Sequence, residues 1–268
     1  MRAISGMRSD PGLRVVALAH DLPPLREDAS APVAATLQAE LLQGADLVLA
    51  SSSTTADALR EAAARLGWPA PPIRMLPPST RPEEAPPCWP AALPRARFAL
   101  VTGSVTRDSG TARLVALWEA LVAERDFTLN LIILGAADED VDDAVRAIES
   151  SALFGTRIFW LREAAGPLLR HLHAACDLLL CPGPGETWPA AVVEALWLGR
   201  PVVAARLGTI PPESLGLATL VAPDAPGAWQ SAILTAAESR PERHLPPMPD
   251  PVAVETALRA FFTPAVAA

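Results

Sequence analysis

Between Pro182 and Glu213 the chain reads PGPGETWPAAVVEALWLGRPVVAARLGTIPPE, and its prolines and glycines narrow the local fold to one pattern. Pro182, Gly183, Pro184 and Gly185 continue neither a strand nor a helix, so the preceding run DLLLCP must end in a loop. Pro189 suits the first turn of a helix, where its missing N–H costs nothing, and Gly199 suits the residue just past the end. The helix between them is apolar all round except for Glu194, so it is expected to be buried, and a buried carboxylate needs partners. PVVAA follows as a short run rich in β-branched residues, a strand covered on both faces, and a loop through Gly208 leads to Pro211, Pro212 and Glu213. Strand, loop, helix, strand is the unit of parallel sheets. Their ligands bind at the carboxyl ends of the strands, where exposed helix N-termini attract phosphate.

This string resembles the donor domain of the group 1 (family four) retaining glycosyltransferases of the GT-B fold. The residues that carry the resemblance are Pro182, Glu186, Pro189, Glu194-Ala195, Gly199, Pro201-Val202-Val203-Ala204, Gly208 and Pro212-Glu213. It implies that Glu186 faces a donor sugar and that Glu194 holds the ribose hydroxyls of a nucleotide. FALVTGSVTRDSGTARLVALWEAL, residues 98 to 121, resembles the family's first donor-domain strand, phosphate loop and helix. LNLIILGAA, TRIFWL and LLRHLHAACDLLLCP resemble the strands and the helix that lead to the glutamate loop, with His173 where the family usually has Tyr. Upstream, LRVVALAHDLPPL and GADLVLASSSTTADALREAAARLG resemble the second half of the acceptor domain, with His20-Asp21 and Ala45-Asp46 through Ser51 as the matching positions.

The resemblance implies an α/β chain: a complete C-terminal Rossmann-like donor domain with a parallel sheet, and a partial N-terminal Rossmann-like domain. The boundaries expected are 1–80 for the partial acceptor-side domain, 81–95 for a proline-rich linker, 96–240 for the nucleotide-sugar domain, and 241–268 for a second proline-rich segment and a closing helix. The implied activity is transfer of a hexosyl unit, with retention, from a UDP- or GDP-linked donor to a glycan or lipid-linked acceptor in cell-envelope or polysaccharide synthesis. Glu186 and His20 are the catalytic candidates. Gly103, Ser104, Arg107, Ser109, Glu186, Thr187, Trp188 and Glu194 are the donor-binding candidates, with the diphosphate at Gly103-Ser104 and the following helix. Members of this fold usually need no metal, and no cofactor beyond the donor is implied.

Plainer roles stay open for several of these residues. An acid ahead of a helix, such as Glu186, is favourable in its own right. Arg107 and Asp108 also fit a solvated turn, a lone His-Asp such as His20-Asp21 more often serves structure, and Trp188 fits either stacking on the donor or packing.

Two departures from the family pattern bear on activity. The phosphate loop of the family carries a basic pair ending in Lys, whereas all 22 basic residues here are Arg. The lysine position falls near Ser109, with Arg107 two residues before it. A guanidinium makes bidentate charge-assisted bonds to phosphate, but in a different geometry from an ammonium. The second departure is length: only about a dozen residues precede RVVAL, and they hold no strand, so part of the acceptor domain is expected to be missing, leaving an exposed sheet edge and an uncovered face. A second chain that completes this domain is one answer. A truncated or degenerate, non-catalytic chain that binds a nucleotide-sugar or a partner protein is the alternative reading.

The net charge of −8 disfavours nucleic acid and anionic membranes as main partners. No apolar run approaches about 18 residues and no hydrophobic signal segment opens the chain, so the cytoplasm is the expected location, with peripheral contact at the inner face of the plasma membrane compatible with the resemblance. Cys88, Cys176 and Cys181 lack metal-ligand spacing and read as small hydrophobes. His171 and His173 sit two apart on a helix and so on different faces, which reads as helix surface or domain interface. The run PAPPIRMLPPSTRPEEAPPCWPAALP, residues 69 to 94, excludes helix and inner strand and reads as a stiff linker. A second proline cluster, Pro241 to Pro251, precedes VAVETALRAFF, which reads as a helix packed back across the domains or a short docked surface helix.

Overall fold

The computed structural model describes residues 13–19, 31–76, 89–91, 93–124, 127–138, 142–164, 166–183, 190–206 and 218–239, together with 255, 256, 258, 259 and 261. The chain divides into two compact units, Met1–Ser79 with Pro247–Ala268, and Thr80–Pro246.

In the first unit, β1 (Val16–Ala19), β2 (Leu47–Ala50) and β3 (Ile73–Met75) pair in parallel in that order, connected by α1 (Ala31–Gly44) and α2 (Ser53–Leu66). Helix α2 is bounded as its sequence dictates: the Ser52 Oγ accepts from the Thr55 N–H at 3.0 Å, and Gly67 closes it in the left-handed region at φ 65°. Its buried residues Thr55, Ala56, Leu59, Ala62 and Ala63 follow the helical period, and Leu59, Ala62 and Ala63 share one core with Ala17, Ala19 and Val48 of the sheet. Asp46, just ahead of β2, accepts the Val15 N–H on its Oδ2 at 2.9 Å and so fixes the start of β1. On the opposite sheet face Leu18 is 63% exposed and Leu49 half-buried, and among the described residues no helix covers them.

The second unit holds a six-stranded parallel sheet in the order β6-β5-β4-β7-β8-β9. Its elements are β4 (Phe98–Thr102), α3 (Thr111–Ala123), β5 (Asn130–Leu134), α4 (Asp142–Glu149), β6 (Ile158–Leu161), α5 (Gly166–Ala175), β7 (Leu178–Cys181), α6 (Ala190–Trp197), β8 (Val202–Ala205), β9 (Thr219–Val221) and α7 (Pro226–Glu238). Continuous apolar strands such as NLIIL and VVAA are buried on both faces, as a central parallel sheet requires. Alternate residues serve two cores: Ala99, Val101, Leu131, Ile133 and Leu178 pack under α3, α4 and α7, while Phe98, Leu100, Ile132 and Leu179 pack under α5 and α6. Trp118 of α3, fully buried, meets the Phe127 ring edge-on at 5.1 Å.

Asp177 repeats in this unit what Asp46 does in the first. It precedes β7, accepts the Phe98 N–H on Oδ2 at 3.1 Å and receives Arg97 Nε on Oδ1 at 3.0 Å, which fixes the start of β4.

The α/β class and parallel sheets are those expected. The run 69–94 differs from its reading as a linker at both ends. Ile73–Met75 forms β3, an edge strand, where proline outside the paired residues is tolerated. Leu93 is buried in the second unit's core, and Trp89 packs edge-on against Phe98 at 5.7 Å and donates its Nε1–H to the Leu93 carbonyl. Of the closing segment, the described residues belong to the first unit, where Arg14 stacks over the Phe261 ring at 5.4 Å and donates to its carbonyl.

Replacing Trp118 by Ala removes the largest fully buried side chain of this core. We expect a loss of about 3–5 kcal/mol in the stability of the second unit, read by denaturant unfolding of the chain.

Candidate functional site

In the second unit β4 is the first strand in sequence, yet it lies between β5 and β7. The chain first builds outward through β5 and β6 and then returns to the other side of β4. The loops after β4 and β7 therefore leave neighbouring strands for opposite faces of the sheet, to α3 and to α6. This reversal of strand order, at the carboxyl ends of the strands, is where open parallel sheets bind their ligands.

The two loops meet backbone to backbone. A Cβ on Gly110 would lie 2.5 Å from the Pro182 carbonyl oxygen, and one on Gly183 would lie 2.6 Å from that of Ser109. Gly110 also adopts φ 72°, which any other residue resists. The loop after β5 joins on the other flank, where Val105 pairs with Ala137 and the Val105 N–H donates to the Ala136 carbonyl at 2.8 Å. Residues 103 to 110 are thus held between the ends of β5 and β7.

Within that loop Gly103, Ser104 and Arg107 are exposed, and the space beside Gly103 is open. Ser109 is turned inward: its Oγ–H donates to the Thr106 carbonyl at 2.7 Å, and its Oγ lies 2.9 Å from Thr111 Oγ1. Gly110 is the N-cap of α3 and brings no side-chain cap, so the first-turn N–H groups of this helix receive no acceptor from it. Glu186, Thr187, Trp188 and His20 lie outside the described residues.

Glu194 sits on α6, and the partner that its burial demands is His173 of α5. The His173 Nδ1 lies 2.8 Å from Glu194 Oε2, with side-chain exposures of 2% and 14%. The reading of His173 as helix surface or domain interface is therefore corrected: it is buried inside the second unit, because α5 turns this position toward α6. His171, two residues earlier, points elsewhere and meets the Trp89 ring edge-on at 5.9 Å. The sequence carried no signal for the His173 pairing, since the two residues stand 21 apart on different helices. The turn that ends α6 matches expectation, with Gly199 at φ 67° and the Arg200 N–H returning to the Ala195 carbonyl at 2.8 Å.

Cys176 is buried below this pair, and burial pushes its thiol up to about 12, against a smaller lowering by Arg200. It stays a neutral thiol and serves as a small hydrophobe. Among the described residues no group of three or more His, Cys, Asp or Glu side chains gathers as a metal site.

Two glycines separate strain from collision. Gly155 also has a positive φ, 75°, but open space beside it, so Gly155→Ala is expected to cost about 1 kcal/mol for its backbone alone. Gly110→Ala adds the collision with Pro182, and we expect it to exceed Gly155→Ala by more than about 1 kcal/mol in denaturant unfolding.

No curated protein sequence matches the chain. Among solved structures it is similar to a sucrose-phosphate synthase from Thermosynechococcus elongatus (TM-score 0.62, 21% identity, 87% of this chain and 61% of that one). It is similar also to the trehalose-6-phosphate synthase OtsA (TM-score 0.67, 15% identity, 88% and 62%). HepE of Anabaena, solved in complex with UDP and glucose, is a third (TM-score 0.65, 20% identity, 84% and 62%). These likenesses place the fold with the GT-B glycosyltransferases, and the chain spans about three fifths of the length of each. The family model of the group 1 glycosyl transferases matches residues 96–239, more than half of the 268. The chain belongs to that family.

Proposed function

We propose that the chain is a retaining glycosyltransferase that moves a hexosyl unit from a UDP- or GDP-linked donor to a glycan or lipid-linked acceptor, in cell-envelope or polysaccharide synthesis in the cytoplasm or at the inner face of the plasma membrane. The observation that carries the reading is the meeting of loop 103–110 with Pro182-Gly183 at the strand-order reversal, directly ahead of the helix that bears Glu194, within the segment matched by the family. Structures of HepE with UDP-glucose and of a trehalose-6-phosphate protein with UDP-2-fluoro glucose support a nucleotide-sugar as donor.

In this reading the donor diphosphate rests on Gly103, Ser104 and the N-terminus of α3, whose dipole favours an anion and whose N-cap residue, Gly110, supplies no side-chain acceptor. Arg107, exposed in the same loop, takes the place of the family's lysine, and Ser109 shapes the loop through its bond to Thr106. Glu194 holds the ribose, Glu186 with Thr187 and Trp188 meets the hexose, and His20 acts from the acceptor side. Cleavage with retention then depends on cations and helix dipoles that stabilise the leaving diphosphate more strongly than the bound donor.

The domain scheme belongs to the same proposal: an acceptor-side domain over 1–80, a linker over 81–95, a donor domain over 96–240 and a closing segment over 241–268. A second chain that completes the acceptor side belongs to the same proposal, supported by Leu18 of β1 being 63% exposed. A second reading, a non-catalytic nucleotide-sugar-binding chain, is favoured by the absence of any lysine from the sequence.

Calorimetric titration with UDP, GDP and their common sugar conjugates tests the donor site. We expect micromolar binding of one base that Glu194→Ala weakens by about tenfold, and a loss of about tenfold with Arg107→Ala, reduced at high salt. Binding to no nucleotide sinks the donor assignment. Binding without turnover of any sugar conjugate, in water or with added glycans, favours the second reading.

A further inference from the structure

His173 occupies a costly position for a histidine. It is buried, its Nδ1 is bound to Glu194, and among the described residues its Nε2 is buried with no hydrogen-bond partner. An orphaned N–H in such a place costs more than an orphaned lone pair in the same apolar setting. The arrangement that leaves the least unsatisfied therefore carries a proton on Nδ1, donated to Glu194 Oε2, and a lone pair on Nε2. Leu172 and Cys176 of the same helix region and Val192, Ala195 and Leu196 of α6 form one apolar cluster beside the pair, with the Arg200 side chain at its rim on the Ala174 carbonyl.

We infer that His173 is a positioning residue for nucleotide recognition: it fixes the carboxylate of Glu194 by occupying Oε2, so that Oε1 is presented to the vicinal hydroxyls of a ribose. This rests on the donor-site reading above and adds to it the element that makes Glu194 selective. A glutamate on a free helix turn spreads over several rotamers, and a diol that must first order it loses affinity. Glu194 is ordered before the ligand arrives because α5 holds it from the side. The selectivity for a 2′-hydroxyl then depends on a residue that does not touch the nucleotide.

The test uses the full chain with UDP and GDP and their 2′-deoxy counterparts, by calorimetry, for wild type, Glu194→Ala, His173→Leu and His173→Asn. Wild type is expected to prefer the ribonucleotide by about tenfold, the worth of one hydrogen bond to a charged group. Glu194→Ala should remove the preference. His173→Leu should shrink it to less than about threefold while weakening the deoxynucleotide little, with a lowered thermal midpoint because the Glu194 carboxylate loses its buried partner. His173→Asn sets an amide N–H at the same distance from Cβ as Nδ1 and should restore most of the preference. A preference that survives His173→Leu, while Glu194→Ala abolishes it, overturns the inference and leaves the donor site standing. If His173→Leu weakens both nucleotides equally, or if Asn fails to rescue, the role is structural and the inference falls. Wild-type chain that binds neither UDP nor GDP overturns the donor-site reading and this inference together.

Discussion

How closely two backbones can approach governs the second unit. Pro182 ends β7, and its carbonyl lies where the side chain of residue 110 would stand, while the carbonyl of Ser109 lies where the side chain of residue 183 would stand. Only a pair of glycines allows both contacts. Their consequence is that the loop after β4, which leads into α3, and the start of the loop after β7 meet although α3 and α6 cover opposite faces of the sheet. The start of α3 and the end of β7 are brought together by backbone packing rather than by side-chain attraction, at the strand-order reversal where open parallel sheets bind their ligands.

Glu194 and His173 show a second constraint. A carboxylate on an otherwise apolar helix must be satisfied, and here one imidazole nitrogen does so at 2.8 Å. The pair leaves the acid anchored on one oxygen and the imidazole sealed in the core. Cys176, close by on the same helix end, is kept inert by the same burial.

Much of this was legible in the sequence because it depends on backbone rules. The end of β7 just before Pro182, the buried run VVAA, the helix around Glu194 and its Gly199 close were all dictated by residues whose φ, hydrogen bonding or apolar run is restrictive. The need for a partner to Glu194 was legible too; its identity was not, because residue 173 reaches 194 only after α5 and α6 pack side by side. The tight contacts of Gly110 and Gly183 were likewise hidden, since they join segments about seventy residues apart. The proline-dense run misled at its ends: a three-residue edge strand tolerates prolines around it, and Trp89 and Leu93 follow the pull of the apolar core more than the stiffness of the chain. Ala45-Asp46, which the resemblance placed in the acceptor region, proves to fix the start of β1 through Val15, as Asp177 does for β4 through Phe98.

The pairing of β4 with β7 also sets how this unit must fold. Ala99 aligns with Leu178 and Leu100 with Leu179, so the central seam of the sheet closes a chain segment that contains β5, β6 and three helices. Closing so long a loop costs entropy before it returns contacts, whereas β4 meets β5 across a much shorter one. Until it forms, β4 presents an open edge, and the chain emerging from synthesis is at its most vulnerable to intermolecular strand pairing while α5 and β7 are still to come. The Asp177 carboxylate, which grips the first residue of β4 and is followed at once by β7, acts as the latch that makes this closure register-specific.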